Sequence, residues 1–401
     1  MTIAVIGGGA SGMMAAITAA SRFPSEQVLL LERQARVGRK LLATGNGRCN
    51  LSNANLQSPH FHCPQQDFCT PALSGFDPLD WFHRRGLLTV TEPSGRIYPL
   101  SDSANSVLDV LRFALDRPNL TQMLGCEVKS VKKVDGQFRL LTTQGPVNCQ
   151  RVIVACGGLA GTKLGGGMSG YQILRSLGHH CSKLHPALAP VLTEDTLVKS
   201  LKGIRADGAV LLYRESQLLA QREGEIQFTA TGVSGPAVFE LSRDVSTAEG
   251  ELFLELNLLR DYSEEQIMAL LHQRAAQFPT LAAENLLTGM LHNRLGRTLL
   301  RLTPIAADTP MGQLGDRDLQ AVVEAVTRFR LAVRGVMGMD AAQVTAGGID
   351  PREFDPETLE SRLCPQLFAC GEVLDVDGDC GGYNLHWAWA SGHLAGLGGT
   401  T

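Results

Sequence analysis

Residues 2–12 read TIAVIGGGASG, a β-branched run that breaks into three glycines and passes straight into MMAAITAASRF at 13–23, a stretch rich in strong helix formers. That order predicts strand, tight turn and helix. QVLLLE at 27–32 predicts a second buried strand ending in the carboxylate of Glu32, so the opening reads as a βαβ unit of about 30 residues. Gly7, Gly9 and Gly12 stand within it at G-x-G-x-x-G spacing. The first permits the turn, the second lets backbone approach a pyrophosphate, and the third packs helix on strand. The helix N-terminus attracts an anion, and Glu32 is placed to accept hydrogen bonds from ribose hydroxyls. Strand, helix and acid together predict a bound dinucleotide, which the glycines alone would not.

A second G-x-G-x-x-G occurs at Gly165, Gly167 and Gly170, but GTKL rather than a β-branched strand precedes it and no acid follows at the right distance. It is expected to be a loop near the first cofactor rather than a second dinucleotide site.

With 401 residues and 44% hydrophobic side chains, the chain can bury two or three domain cores. The formal net charge of -4 gives no global attraction for nucleic acid or an anionic membrane. Ten cysteines without a C-x-x-C predict reduced thiols in a cytoplasmic protein. The apolar N-terminus lacks the basic start of a signal peptide, and no other run of about 18 apolar residues predicts a membrane span.

Helices are expected at 77–88 and 105–115, and a hairpin at 126–133 and 137–143 about Asp135-Gly136. RVIVACGG at 151–158 returns to a buried strand ending in Gly157 and Gly158. From about 190 the texture alternates, predicting an antiparallel sheet or small barrel; from 262 to 335 it turns helical. Glycine-punctuated βα character resumes at VTAGGID, 344–350, so the middle of the chain is read as an insertion into one nucleotide-binding fold. The expected division is a cofactor domain at 1–189 and 340–401, a β domain at 190–258 and a helical domain at 259–339.

Three further blocks, Gly38-Arg39-Lys40 with ATGNGRCNLSN at 43–53, RVIVACGG, and LFACGEVLDVDGDCGGYNLHWAWASG at 367–392, resemble the flavin-binding regions of two-dinucleotide-fold flavoproteins. With GEIQFTATGVSGP at 224–236 and VTAGGID, the whole chain resembles the flavoprotein family that includes bile-acid enone reductases, aminoacetone oxidases and a ribosomal RNA dihydrouridine synthase. The resemblance implies an α/β fold: a Rossmann-like two-dinucleotide-fold FAD domain carrying an inserted antiparallel β domain and an inserted helical domain. It implies FAD contacts at Gly7, Gly9, Ala10, Ser11, Gly12, Glu32, Arg33, Arg39, Lys40, Asn46, Gly47, Asn50, Val128, Gly157, Gly158, Gly371, Glu372, Asp375, Gly382, Tyr383, Asn384 and Leu385. Arg39 and Lys40 would supply fixed positive charge, and the helix after Gly382 would turn its positive end to the flavin's pyrimidine edge. Arg48 is expected in the same lining. The chain departs from the family at Ala230, Cys380 and His386.

The resemblance implies an FAD-dependent oxidoreductase, with hydride delivered from reduced flavin to an activated carbon–carbon double bond and NADH or NADPH as transient donor. The alternatives are an amine oxidase using oxygen, a reductase of a uridine in ribosomal RNA, and a non-catalytic flavin-binding protein. The substrate is therefore a small molecule or structured RNA, and a basic helical face at 272–301, with Arg274, Arg294, Arg297 and Arg301, would serve the latter. No residue is assigned to catalysis. Cys49 lacks a C-x-x-C partner and reads as packing beside the flavin rather than as a redox nucleophile. His60, His62, Cys63 and Cys69 fit no zinc module and read as a loop, so no metal is expected. Ser234 lacks the strand-to-helix elbow of a hydrolase nucleophile.

Overall fold

The computed structural model describes residues 1–194 and 196–398. It divides into two compact units, 1–185 with 343–401, and 186–342.

The first unit is built on a five-stranded parallel sheet in the order Leu367–Ala369, Arg151–Val154, Thr2–Ile6, Gln27–Glu32, Leu120–Leu124. Thr2–Ile6 lies between the second strand of the chain and a strand some 150 residues on, with Ile6 in register with both Leu31 and Val154. Strand order therefore reverses beside the first strand, and open α/β sheets take their ligands beyond the carboxyl ends of the strands at such a point. Residues 3–6 are all buried, as a sheet covered on both faces requires.

Helices Ala10–Arg22 and Tyr383–Leu397 cross at backbone contact. A Cβ on Gly392 would stand 2.3 Å from the Ser11 carbonyl oxygen, and one on Gly396 2.7 Å from that of Ala15. The C-terminal helix is thereby locked against the helix that follows the glycine turn, bringing the two ends of the sequence to one place.

The hairpin forms from Val128–Val134 and Gln137–Thr142, with Asp135 and Gly136 both at positive φ as a two-residue type I′ turn needs. Gly145–Cys149 extends it to three strands.

The second unit contains a closed antiparallel barrel, in the order Val191–Thr193, Gly232–Ser234, Gln217–Phe228, Arg205–Arg214, Leu252–Asn257, Phe329–Val336 and back to the first. Its last strand falls inside the stretch expected to be helical to 335. Helix Asp316–Thr327 ends on Thr327, and FRLAVRGV then alternates buried and exposed in its first half. A period of two, not 3.6, governs those residues. The stretch 281–302 is likewise not one helix: Gly289 at φ +81 separates the turn Ala283–Asn285 from helix Asn293–Leu300.

Barrel and helices share one apolar core, in which Val210 and Leu254 pack with Ile267, Leu295 and Val322. A separate β domain at 190–258 and helical domain at 259–339 remain a proposal; the late closing strand and the shared core weigh against two independent folding units.

Candidate functional site

The glycine turn is built by close approach. Gly7 has φ +110, and its Cβ would lie 2.4 Å from the Ala155 carbonyl oxygen; a Cβ on Gly12 would lie 1.8 Å from that of Gly7. Gly9 is the contrary case, with nothing within 4 Å of a Cβ built there. It caps helix Ala10–Arg22, whose first turn holds no acidic residue and no side-chain cap. Ser11 is buried, its hydroxyl 2.5 Å from where a Cβ of Gly371 would stand. Two crowded glycines hold strand and helix together while the third leaves uncapped amides approachable, which is the requirement of a pyrophosphate site.

Glu32 is buried at the strand end, accepting from the amides of Gly8 at 2.6 Å and Gln34 at 2.7 Å. Both carboxylate oxygens are fixed and each retains a lone pair. Val128 is buried at the start of the hairpin, which runs on from Cys126, whose amide donates to the Glu32 carbonyl.

Arg33 turns to the second glycine run, donating to the carbonyls of Gly165 and Gly166. That run follows a short 3-10 turn, Thr162–Leu164, and has no strand before it; it is a loop clasped by Arg33. Lys40 pairs with Glu372 at 2.8 Å, and the other Glu372 oxygen accepts from the amide of Thr345 at 2.8 Å. Gly158 packs against Glu372, while Gly157, at φ +69, is open. Arg39 is exposed and donates to Gln34 at 3.1 Å.

The loop 43–53 winds through three consecutive left-handed residues, Gly45, Asn46 and Gly47. Asn50 lies beyond them with its carboxamide oxygen buried and without a hydrogen-bond partner among the described residues. A Cβ on Gly382 would lie 2.8 Å from that oxygen, so Asn50 stands at the start of helix Tyr383–Leu397. Gly382, at φ +103, caps this helix without a side-chain bond. Asn384 ties the turn down through Gly378, accepting from its amide at 2.9 Å and donating to its carbonyl at 2.7 Å. Tyr383 stacks on His60, and Leu385 packs into the core. Asp375 is buried and accepts from the Ser182 hydroxyl at 2.7 Å.

Two uncapped helix N-termini, an open glycine, an orphaned buried carboxamide oxygen and a pair of basic residues suit a long ligand with phosphates at one end and a polar ring edge at the other. FAD fits that donor set.

The Arg48 guanidinium is engaged by side chains of the protein itself. It is held by Glu92 and Asp102, which lie 44 and 54 residues on, and stacks on Tyr98. Cys49 is fully buried at φ +62, and burial pushes its thiol up to about 12, tempered by a hydrogen bond with Thr44. A buried thiol held in its protonated form is a poor nucleophile.

A family model described as HI0933-like protein Rossmann domain matches residues 1–398. The chain belongs to that family. A 3-dehydro-bile acid delta(4,6)-reductase of Clostridium scindens is 38% identical over 400 residues, 98% of each chain. A ribosomal RNA dihydrouridine synthase of Escherichia coli K12 is 32% identical over 390 residues, 96% of this chain and 95% of that one. The open conformation of a flavocytochrome c3 fumarate reductase is 15% identical with TM-score 0.48, covering 99% of this chain and 78% of that chain. This HI0933-like protein is an FAD-dependent oxidoreductase.

Several basic side chains at 272–301 of this HI0933-like chain have partners within the second unit. Arg274 donates to the Thr288 carbonyl, Arg294 to that of Lys202, Arg297 pairs with Glu284, and His272 with Asp316. Among the described residues no helix is long and apolar enough to cross a membrane.

One grouping carries no local signal in the sequence. His60 and His62 both bond Asp379, more than 300 residues away, at 2.9 and 3.0 Å.

Proposed function

We propose that this flavoprotein saturates a ring carbon–carbon double bond conjugated to a carbonyl. The observation that carries the reading is the near full-length identity of 38% to an enzyme named for delta(4,6) reduction. The dihydrouridine synthases, by their name, make a ring with one double bond fewer, so two differently named relatives share one kind of chemistry. FAD, when bound, supplies the hydride, and NADH or NADPH is the proposed donor to it.

In this reading Gly7, Gly9, Ala10, Ser11 and Gly12 seat the pyrophosphate, Glu32 the ribose, and Val128 the adenine side. Asn46, Gly47 and Asn50 line the flavin end with Gly382, Tyr383, Asn384 and Leu385. Arg33 acts at one remove, by holding the loop at 165–167 in place. Lys40 and Glu372 form a neutralised pair with Gly157, Gly158 and Gly371 about it, Arg39 adds an exposed positive charge, and Asp375 serves the ribitol or phosphate. The uncapped helix start at Gly382 would favour negative charge on the ring edge it faces.

A small conjugated carbonyl compound is favoured over structured RNA by the higher identity to the enzyme named for delta(4,6) reduction, 38% against 32%. Ribosomal RNA is the second reading, supported by the 32% relative. Cytoplasmic location, expected from cysteine usage, belongs to the same proposal.

The test is anaerobic. The holoenzyme is reduced with NADH or NADPH and mixed with cyclohex-2-enone, a 3-oxo-4,6-diene steroid or uridine-containing ribosomal RNA. Reoxidation with a product two hydrogens heavier is expected with an enone. Failure of every double-bond acceptor to reoxidise the flavin, with reduction by an amine and peroxide formed once oxygen is admitted, would overturn the reading.

A further inference from the structure

The short strand Phe61–His62 pairs antiparallel with Asp377–Gly378. His60, which ends the 3-10 turn before that strand, and His62, its second residue, both bond Asp379, the residue that follows the partner strand. Asp379 Oδ2 is 2.9 Å from His60 Nδ1, and Oδ1 is 3.0 Å from His62 Nε2. The carboxylate is largely buried. Burial alone would raise its pKa, but the hydrogen bonds from His62 and His60 hold it below the ordinary carboxylate value. It is an anion at neutral pH, and each imidazole must present it with an N–H.

The two histidines differ in what remains. His60 is engaged at both nitrogens, with Nε2 3.0 Å from Asn55 Nδ2, and its ring is stacked on Tyr383 at 4.6 Å. It is a fixed strut. His62, its side chain 32% exposed, has no hydrogen-bond partner at Nδ1 among the described residues. An imidazole that donates one N–H to a buried carboxylate and keeps the opposite nitrogen open can take up a proton there with its counter-charge already in place.

The position is as telling as the geometry. Asp379 lies three residues before Gly382, the cap of the helix that begins the candidate flavin end, and Tyr383 joins His60 to that helix. We infer that His62, backed by Asp379, transfers the proton in the double-bond reduction proposed above, an inference that rests on that reading. FAD, when bound and reduced, would supply the hydride, two electrons with a proton, to the carbon β to the carbonyl. The π pair of the double bond then takes the proton from His62 Nδ1 at the α carbon. His62 is left neutral and recovers a proton from water.

The test separates this role from the reading beneath it. In His62→Gln the side-chain amide can still donate to Asp379 but transfers no proton. FAD content, read from the visible spectrum, is expected to stay at wild-type level. Holoenzyme reduced with dithionite and mixed anaerobically with cyclohex-2-enone or the steroid dienone is expected to reoxidise about 10²–10⁴-fold more slowly than wild type. A wild-type reoxidation rate in the variant would overturn the inference. Nitrogen-15 NMR of the wild-type holoenzyme supplies an independent readout, with the neutral His62 proton expected on Nε2 and that preference lost in Asp379→Asn. A proton on Nδ1 in wild type would also overturn the inference. If wild type itself is reoxidised by no enone, the functional reading fails and the role with it, whatever the variants do.

Discussion

Gly12 in the sheet unit and Gly232 in the barrel are almost equally crowded. A Cβ would lie 1.8 Å from the Gly7 carbonyl oxygen at the first and 2.0 Å from the Val191 carbonyl oxygen at the second. Their surroundings differ. Gly12 has Gly9 three residues before it, open for at least 4 Å at an uncapped helix start, whereas Gly232 sits in the ladder between Gly232–Ser234 and Val191–Thr193. A crowded glycine reports packing, and packing occurs everywhere. An open glycine beside a crowded one, at the head of a helix, reports that something else is meant to approach.

Filling both crowded positions should have the largest effect. Gly12→Val and Gly232→Ala should each cost more than about 4 kcal/mol, since backbone must move to admit the new atoms and Gly232 also has a left-handed φ of +158. Thermal melts of the apoproteins should show both losses. Only Gly12→Val should also abolish flavin retention in whatever fraction folds; equal flavin loss in both would dissolve the distinction.

A pH effect from buried histidines should come next, in the sheet unit. His386 is buried, with Nδ1 2.8 Å from the Ser52 hydroxyl and Nε2 without a partner among the described residues. Burial lowers its pKa to about 4, and half-buried His393 is lowered likewise. The unfolded chain binds these protons at about pH 6.5 and the folded one only near 4, so stability is fully present above about 6.5 and is lost as pH falls toward 4. The His386 share is ~3 kcal/mol when the loss is complete, with less from His393. Denaturant melts from pH 7.5 to 4.5 should show the loss, and His386→Gln should flatten it. An unchanged slope in the variant would show that the acid limb lies elsewhere.

Gly9→Ala is a smaller and more telling change. Its backbone, at φ -79, suits alanine and a Cβ meets nothing, so apoprotein stability should hold within about 0.5 kcal/mol. FAD affinity should nevertheless fall about tenfold or more, about 1.4 kcal/mol. Unchanged affinity on flavin titration would mean that Gly9 is not where the pyrophosphate approaches.

These experiments probe features that differ in how legible they were. The glycine turn and Glu32 could be read because their roles lie within about 30 residues, where spacing alone fixes geometry. The pairs Lys40–Glu372, Asn50–Gly382 and His62–Asp379 are each more than 300 residues apart, and no local pattern in either member announces the other. The carboxylate partners of Arg48, Glu92 and Asp102, likewise lie 44 and 54 residues on, beyond any local pattern. The closing strand Phe329–Val336 was hidden because only Arg328 separates it from a well-patterned helix, leaving no turn signal to mark the change of period.

The smallest effect concerns Cys49, in a loop where flavin contact and plain packing meet. The residue is fully buried at φ +62, a conformation that non-glycine residues seldom adopt, and its thiol is bonded to Thr44. Cys49→Ser keeps both the shape and the hydrogen bond while giving up some apolar burial, so the cost should be about 1 kcal/mol. Flavin content and the rate of reoxidation by enone should stay within about twofold of wild type, a difference worth less than about 0.5 kcal/mol. A nucleophile would behave otherwise: turnover would collapse with flavin still bound, because serine at this buried site has no means of forming the required anion. Stopped-flow reoxidation of the dithionite-reduced variant therefore decides between a packing residue and a reacting one. A hundredfold loss there, with a normal flavin spectrum, would put Cys49 back among the chemistry.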